Sequence, residues 1–368
     1  MDPSLVDAAF LPEEDCSPSS ERLKLNAYTV RSPEDDPVLR KQTDAVNLWS
    51  KAMLNLLVNE KFPPEQFSLE EASIFCAIGL PGFEDLDMKK SLNKFVDWCD
   101  YLRKNERHML PFYSENPDYA HLTLAQFKVM AMISGLHKVL GVSYDMSIPQ
   151  DGYFDHRDAR SFFIPGLLKG HGGMCVSLPT LVTALGRRLD YPLYLVEAKM
   201  HCFVRWNDPS TGERFNFDAA GRGFAARDDE YYKTWPLPLT EQDFKNHPRF
   251  LKNLTRRQEI ALMIQQRAHC LLDNLRFPEG QNAYEYANAF DPNNSLIESN
   301  WKIFLVVARA CEASAAAARH EGRSHYPLFQ VRLQPIQDKW ERGAQKPARE
   351  ILNDLLKLHG KDHQVRVA

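Results

Sequence analysis

Apolar side chains recur at helical intervals through the first third of the chain. Val46, Trp49, Met53 and Leu57 form one stripe, which Pro63 and Pro64 end. Ser68 followed by Glu71 makes a capping box and predicts a second helix through Ile78. A third is expected from about Met88 to Lys104, with Leu92, Phe95, Trp98 and Leu102 on one side. Thr123 with Gln126 opens a fourth, where Phe127, Met130, Ile133 and Leu140 repeat at helical spacing. Helices should therefore dominate residues 40–140.

The period changes after residue 145. Leu178, Val182, Leu185 and Leu189 predict a helix over 176–189, with Thr183, Arg187 and Arg188 on its polar face. Pro179 sits in the first turn, where its missing N–H has little intrahelical partner to lose. Residues 193–197, 201–206 and 214–218 then read as strands. Alternation puts His201, Phe203 and Arg205 on one face and Cys202, Val204 and Trp206 on the other. Phe215 and Phe217 share a face opposite Arg214, Asn216 and Asp218, and Asp208 to Gly212 supply the turn between these strands. The fold expected here is α+β, a helix packed on an antiparallel sheet with helical regions on both sides.

Beyond Gly223, RDDEYYKTWPLPLTEQDF is aromatic and interrupted by proline, and reads as a covering loop over the core. Thr255 with Gln258 caps a helix carrying Ile260, Ile264, Ala268 and Leu271. In AYEYANAFDPN, Ala283, Ala287, Phe290 and Pro292 resemble the second helix of a tetratricopeptide repeat. A further helix is expected near Leu296 and a short final one over 347–358. The units expected are an acidic arm over 1–36, rich in Pro, Ser, Asp and Glu, and a helical region over 37–144. A core over 145–240, a tetratricopeptide-like region over 241–320 and an extension over 321–368 complete the chain.

Composition narrows the classes. The 368 residues suffice for two or three packed units, and 44% hydrophobic content is ordinary for a globular chain. With 45 Lys and Arg against 49 Asp and Glu, a net charge of −4 gives no electrostatic case for nucleic acid. Seven cysteines, an odd number, stand scattered without CxxC spacing, so neither a disulfide framework nor a structural zinc site is supported. No metal and no cofactor is expected. The start, MDPSLVDAAFLPEED, has neither a basic region nor an apolar run, and no apolar stretch approaches the ~20 residues of a membrane span. The expectation is a cytoplasmic chain that does not engage a membrane.

Cys175, His201 and Asp218 carry the candidate chemistry. Cys175 follows Gly172 and Gly173 in HGGMCVSLP, at the N-terminus of the predicted helix, where the aligned peptide dipoles favour an anion. His201 and Asp218 stand on two predicted strands that a hairpin can set side by side. Thiol chemistry needs these three groups. A thiolate attacks, an imidazole accepts and returns the proton, and a carboxylate fixes the imidazole's tautomer. Blander readings stand beside this one. A cysteine is most often a small buried hydrophobe, His201 could be structural, and Asp218 could cap the GRG turn that follows it. His171 could line the site, Arg205 could shape a cleft, and Trp206 is more simply strand packing.

The segment from Gly172 to Gly223, with GMCVSLP, ALGRRLDYP, HCFVRW and FNFDAAGRG, resembles the bacterial transglutaminase-like superfamily, whose core is distantly papain-like. It is similar to the branch in which tetratricopeptide-like helices follow that core. The resemblance implies Cys175 as nucleophile, His201 as general base and acid, and Asp218 as the orienting carboxylate. It implies a cysteine-dependent hydrolase or acyltransferase acting on an amide or acyl group of a protein or peptide through a thioester. Water as acceptor would give hydrolysis or deamidation, and an amine would give transamidation. The backbone N–H of Cys175 would supply one oxyanion donor, with Gln150 and His171 as candidates for the second. A papain-type protease or an arylamine acetyltransferase is a nearby alternative, while zinc-dependent glycan-removing relatives are expected to carry paired CxxC motifs. The reading from another class is a non-catalytic interaction scaffold, which binds a partner through the flanking helices.

Overall fold

The computed structural model describes residues 49, 53, 67–146, 156–221, 223–274, 276–292 and 294. The acidic arm, the helix expected near Leu296 and the one over 347–358 lie outside them, as does the first stripe apart from Trp49 and Met53. Those two are both buried.

Three capping boxes read from the sequence form as written. Ser68 and Glu71 open α1 (Leu69–Cys76), Thr123 and Gln126 open α3 (Leu124–Lys138), and Thr255 and Gln258 open α8 (Arg256–Asp273). α1 ends two residues before Ile78. There the buried Arg267 guanidinium of α8 donates to the carbonyls of Cys76 and Ile78 at 2.7 and 2.6 Å. The helix expected to stop near Lys104 is longer: α2 runs Met88–Glu115 with Pro111 inside it. Its second half has no apolar stripe to read. The helix is held there by Tyr113, whose ring lies 5.0 Å from Phe127 and whose hydroxyl donates to the Leu122 carbonyl.

A short 3-10 turn over Ala159–Phe162 and α4 (Ile164–Leu168) follow, unmarked by any periodicity because nearly every residue is buried. α5 (Ser177–Arg188) is the central helix. Ser177 to Gly186 are all buried, so of the expected polar face Thr183 is fully enclosed, while Arg187 is half-buried and only Arg188 is exposed. Arg187 and Arg188 leave the helix end as clamps. Arg187 grips both oxygens of the buried Glu259 on α8 at 2.6 and 2.8 Å, and Arg188 donates to the buried Glu70 on α1.

The sheet has three antiparallel strands in the order β1 (Leu193–Ala198), β2 (His201–Asn207) and β3 (Arg214–Phe217). Leu193 pairs with Trp206 and Ala198 with His201 across β1–β2, while Val204 pairs with Phe217 across β2–β3. The covering segment holds two short helices, α6 (Asp229–Thr234) and α7 (Glu241–Asn246), the latter opened by a Thr240–Asp243 capping box. α8 and α9 (Phe277–Phe290) pack together, with Ile260, Ile264, Ala268, Leu271, Ala283, Ala287 and Phe290 all buried.

One continuous apolar cluster runs from α1 through α5 and the sheet to α9. A second lies on the other side of the sheet, where Val196, Ala198 and Phe203 meet Tyr232 and Leu251. Together they sandwich the sheet and fix the end that carries His201. Among the described residues no helix is long and apolar enough to cross a membrane.

Candidate functional site

The glycines before Cys175 allow two chain segments to touch. Gly173 donates to the Ser143 carbonyl at 2.8 Å, and its own carbonyl accepts from Asp145 N–H at 2.9 Å. A Cβ at Gly172 would stand 2.8 Å from Asp145 Cα, and one at Gly173 only 2.6 Å from a Leu167 methyl. A chain of hydroxyls completes the frame. Ser161 Oγ donates to Asp145, and Ser177 Oγ donates to the Ser161 carbonyl while accepting from Met174 N–H at 2.8 Å. Leu178 N–H already reaches the Met174 carbonyl. Cys175 therefore lies in the turn that runs into α5, two residues before Ser177.

Cys175 also differs from the other described cysteines. It is partly exposed, whereas Cys76, Cys99, Cys202 and Cys270 are buried. Burial pushes the Cys76 and Cys99 thiols up to about 12, the behaviour of small hydrophobes that stay protonated.

His201 opens β2, and Asp218 stands one residue beyond β3. Because Val204 faces Phe217, residue 218 falls opposite Phe203, on the face that His201 shares and diagonal to it. His201 Nε2 lies 2.7 Å from Asp218 Oδ2. The other carboxylate oxygen accepts from Ala220 N–H at 2.7 Å, so Asp218 holds the following turn and the imidazole together. An Nε2–H donated to Asp218 leaves Nδ1 as the free lone pair.

Burial disfavours charge on His201. The negative charge and hydrogen bond of Asp218 oppose it, helped by a hydrogen bond to Cys175, and push the imidazole up to about 9. The ring is braced by aromatics of the covering segment. Tyr232 stacks at 6.2 Å between centroids and Trp235 meets it edge-on at 4.8 Å. Tyr232 is itself stacked 3.7 Å from Phe203.

Other residues stand elsewhere than the sequence suggests. Arg205 does not line a cleft. It is 2% exposed, because its guanidinium ties β2 to Asn216 on β3, to Asp229 of the covering segment, and to Asn253 and the Leu251 carbonyl beyond it. Trp206 packs between Tyr191 and Phe215, as strand packing requires. His171 donates its backbone N–H to Gly166, and its ring lies in electrostatic reach of Asp158. Gln150 lies outside the described residues.

Sequence reasoning missed three aromatic neighbours. Tyr232 and Trp235 were legible only as part of an aromatic segment. Tyr144, beside Gly173 and in electrostatic reach of both Cys175 and Asp218, carries no spacing that ties it to them.

Residues 125–265 match the family model of the transglutaminase-like superfamily. The match starts on α3, contains α5 and the whole sheet, and ends within α8. No curated protein and no solved structure matches the chain.

Proposed function

We propose that this chain is a cysteine-dependent hydrolase or acyltransferase, with Cys175 as nucleophile, His201 as general base and acid, and Asp218 as the carboxylate that orients His201. One observation carries this reading: the buried His201 paired with Asp218 at 2.7 Å, with Cys175 in electrostatic reach of the same imidazole. The transglutaminase-like domain over residues 125–265 supports the reaction class.

The chemistry follows from the groups. His201 takes the Cys175 proton, and the imidazolium so formed is the state that Asp218 stabilises. The thiolate sulfur attacks an amide or acyl carbonyl, and the C=O electron pair moves onto oxygen. Collapse of that adduct forms a thioester and expels the amine, which takes the proton back from His201. Water or a second amine, deprotonated by His201, then attacks the thioester and releases Cys175.

The substrate is a protein or peptide. The tetratricopeptide-like region expected over 241–320, whose described helices are α7, α8 and α9, would offer a surface for a protein partner. A cytoplasmic setting keeps the thiol reduced.

Incubation with p-nitrophenyl acetate and mass analysis of the trapped enzyme tests the reading. One acetyl group should appear on Cys175, and Cys175→Ala and His201→Ala should both lose it. Acetylation of His201→Ala at the wild-type rate would leave the fold as an interaction scaffold.

A further inference from the structure

The centre described so far has one unanswered requirement. A tetrahedral adduct at Cys175 places negative charge on the former carbonyl oxygen, and a preorganised donor there is usually a large contributor to catalysis. The backbone N–H of Cys175 is one donor. A second must come from a group that stays protonated, reaches the cysteine and is open to substrate.

Three tyrosines lie near the triad. The Tyr232 hydroxyl is fully buried beneath His201 and cannot meet a substrate. Tyr231 is in electrostatic reach of Asp218, and its ring lies against the Arg227 guanidinium at 4.7 Å. Tyr144 is in electrostatic reach of both Asp218 and Cys175. Its backbone is fixed beside the cysteine turn by the two hydrogen bonds of Ser143 and Asp145 to Gly173. The Asp145–Ser161–Ser177 hydroxyl chain locks that segment to the start of α5. The ring is half-buried against the main core, which fixes its root and leaves part of it accessible.

We infer that Tyr144 is a catalytic residue of the same centre, whose phenol O–H donates a hydrogen bond to the oxyanion formed when Cys175 attacks a carbonyl. This rests on the function proposed above. Burial first, then the negative charges of Cys175, Asp218 and Asp145, push the Tyr144 hydroxyl up to about 12, so it keeps its proton throughout the working range. No proton leaves it during the step. It lowers the energy of the adduct and relaxes when the C=O bond re-forms.

Two reagents separate this role from a structural one. Acylation by p-nitrophenyl acetate passes through an oxyanion, whereas alkylation by iodoacetamide displaces iodide and forms none. Tyr144→Phe keeps the ring and removes only the hydroxyl. It should slow the p-nitrophenolate burst on the order of 10²-fold while leaving Cys175 alkylation within about twofold of wild type. A Cys175-dependent burst unchanged in Tyr144→Phe, or an equal fall in both rates, would overturn the role of Tyr144. A wild-type burst that survives Cys175→Ala would overturn the proposed nucleophile, and the inference with it.

Discussion

Asp218 presents one carboxylate oxygen to His201 Nε2 at 2.7 Å and the other to the Ala220 N–H, so a single side chain sets both a turn and a tautomer. Burial alone would hold His201 neutral, and Asp218 is the main reason that it is pushed up to about 9. Asp218→Asn should therefore lower the His201 titration midpoint below the free value of about 6.5, read by NMR of the imidazole. The sign for stability follows. A raised imidazole contributes stability that is complete below about 6.5 and lost as pH rises through about 9. The stability gap between wild type and Asp218→Asn should be widest at the acid end of that window and close above it.

Activity should respond to the triad as one unit. Cys175→Ala should abolish acyl transfer while shifting unfolding free energy by less than about 1 kcal/mol, because the thiol is small and partly exposed. His201→Ala should be nearly as damaging. Asp218→Asn should cost up to on the order of 10⁴-fold, through the wrong tautomer. The Cys175→Ala, His201→Ala double variant should lose little more than either single one. Burst kinetics on the four proteins read this directly.

Gly173 is a contact rather than a hinge. Its Cβ would meet a Leu167 methyl at 2.6 Å and Leu178 Cγ at 2.7 Å, both in the core. Gly173→Ala should therefore destabilise by about 1–3 kcal/mol in denaturant unfolding. At Gly223 a Cβ meets nothing within 4 Å, and Gly223→Ala should be near neutral. Equal stabilities for the two variants would contradict the close packing of Gly173 against Leu167 and Leu178.

Tyr232 acts through its ring. It is fully buried and stacked on Phe203, and among the described residues its hydroxyl has no hydrogen-bond partner. Tyr232→Phe should match or exceed wild-type stability, since it removes an unsatisfied buried hydroxyl. Tyr232→Ala should cost about 3–5 kcal/mol and loosen the packing around His201. Thermal melts of both variants, with the His201 imidazole shift as a local probe, check the two effects separately.

Much of the fold was legible because short-range signals agree with packing. The Ser68, Thr123 and Thr255 caps, the α5 stripe and the period-two strands all fall within a residue or two of the observed elements. Cys175, His201 and Asp218 could be named from their order and chemistry. What escaped reading is long-range. Nothing near Asp145 announces Ser161 or Ser177, and nothing near Tyr144 announces Gly173. Arg205 looked like a cleft residue because a strand arginine is usually solvated, yet Asp229, Asn216 and Asn253 surround it. Thr183 looked solvent-facing because α5 is amphipathic in sequence, but the helix is central and wrapped by other elements. The Thr240–Asp243 cap was hidden within a proline-interrupted aromatic segment.

The central claim is that His201, held by Asp218, activates the Cys175 thiol. The rate of Cys175 carboxamidomethylation by iodoacetamide as a function of pH tests it without knowledge of a substrate. In wild type the rate should persist well below about 8.5, where a free thiol is half ionised, and His201→Ala should move the profile back to that of an ordinary thiol. Superimposable profiles for wild type and His201→Ala, both following the ordinary thiol, would contradict the account.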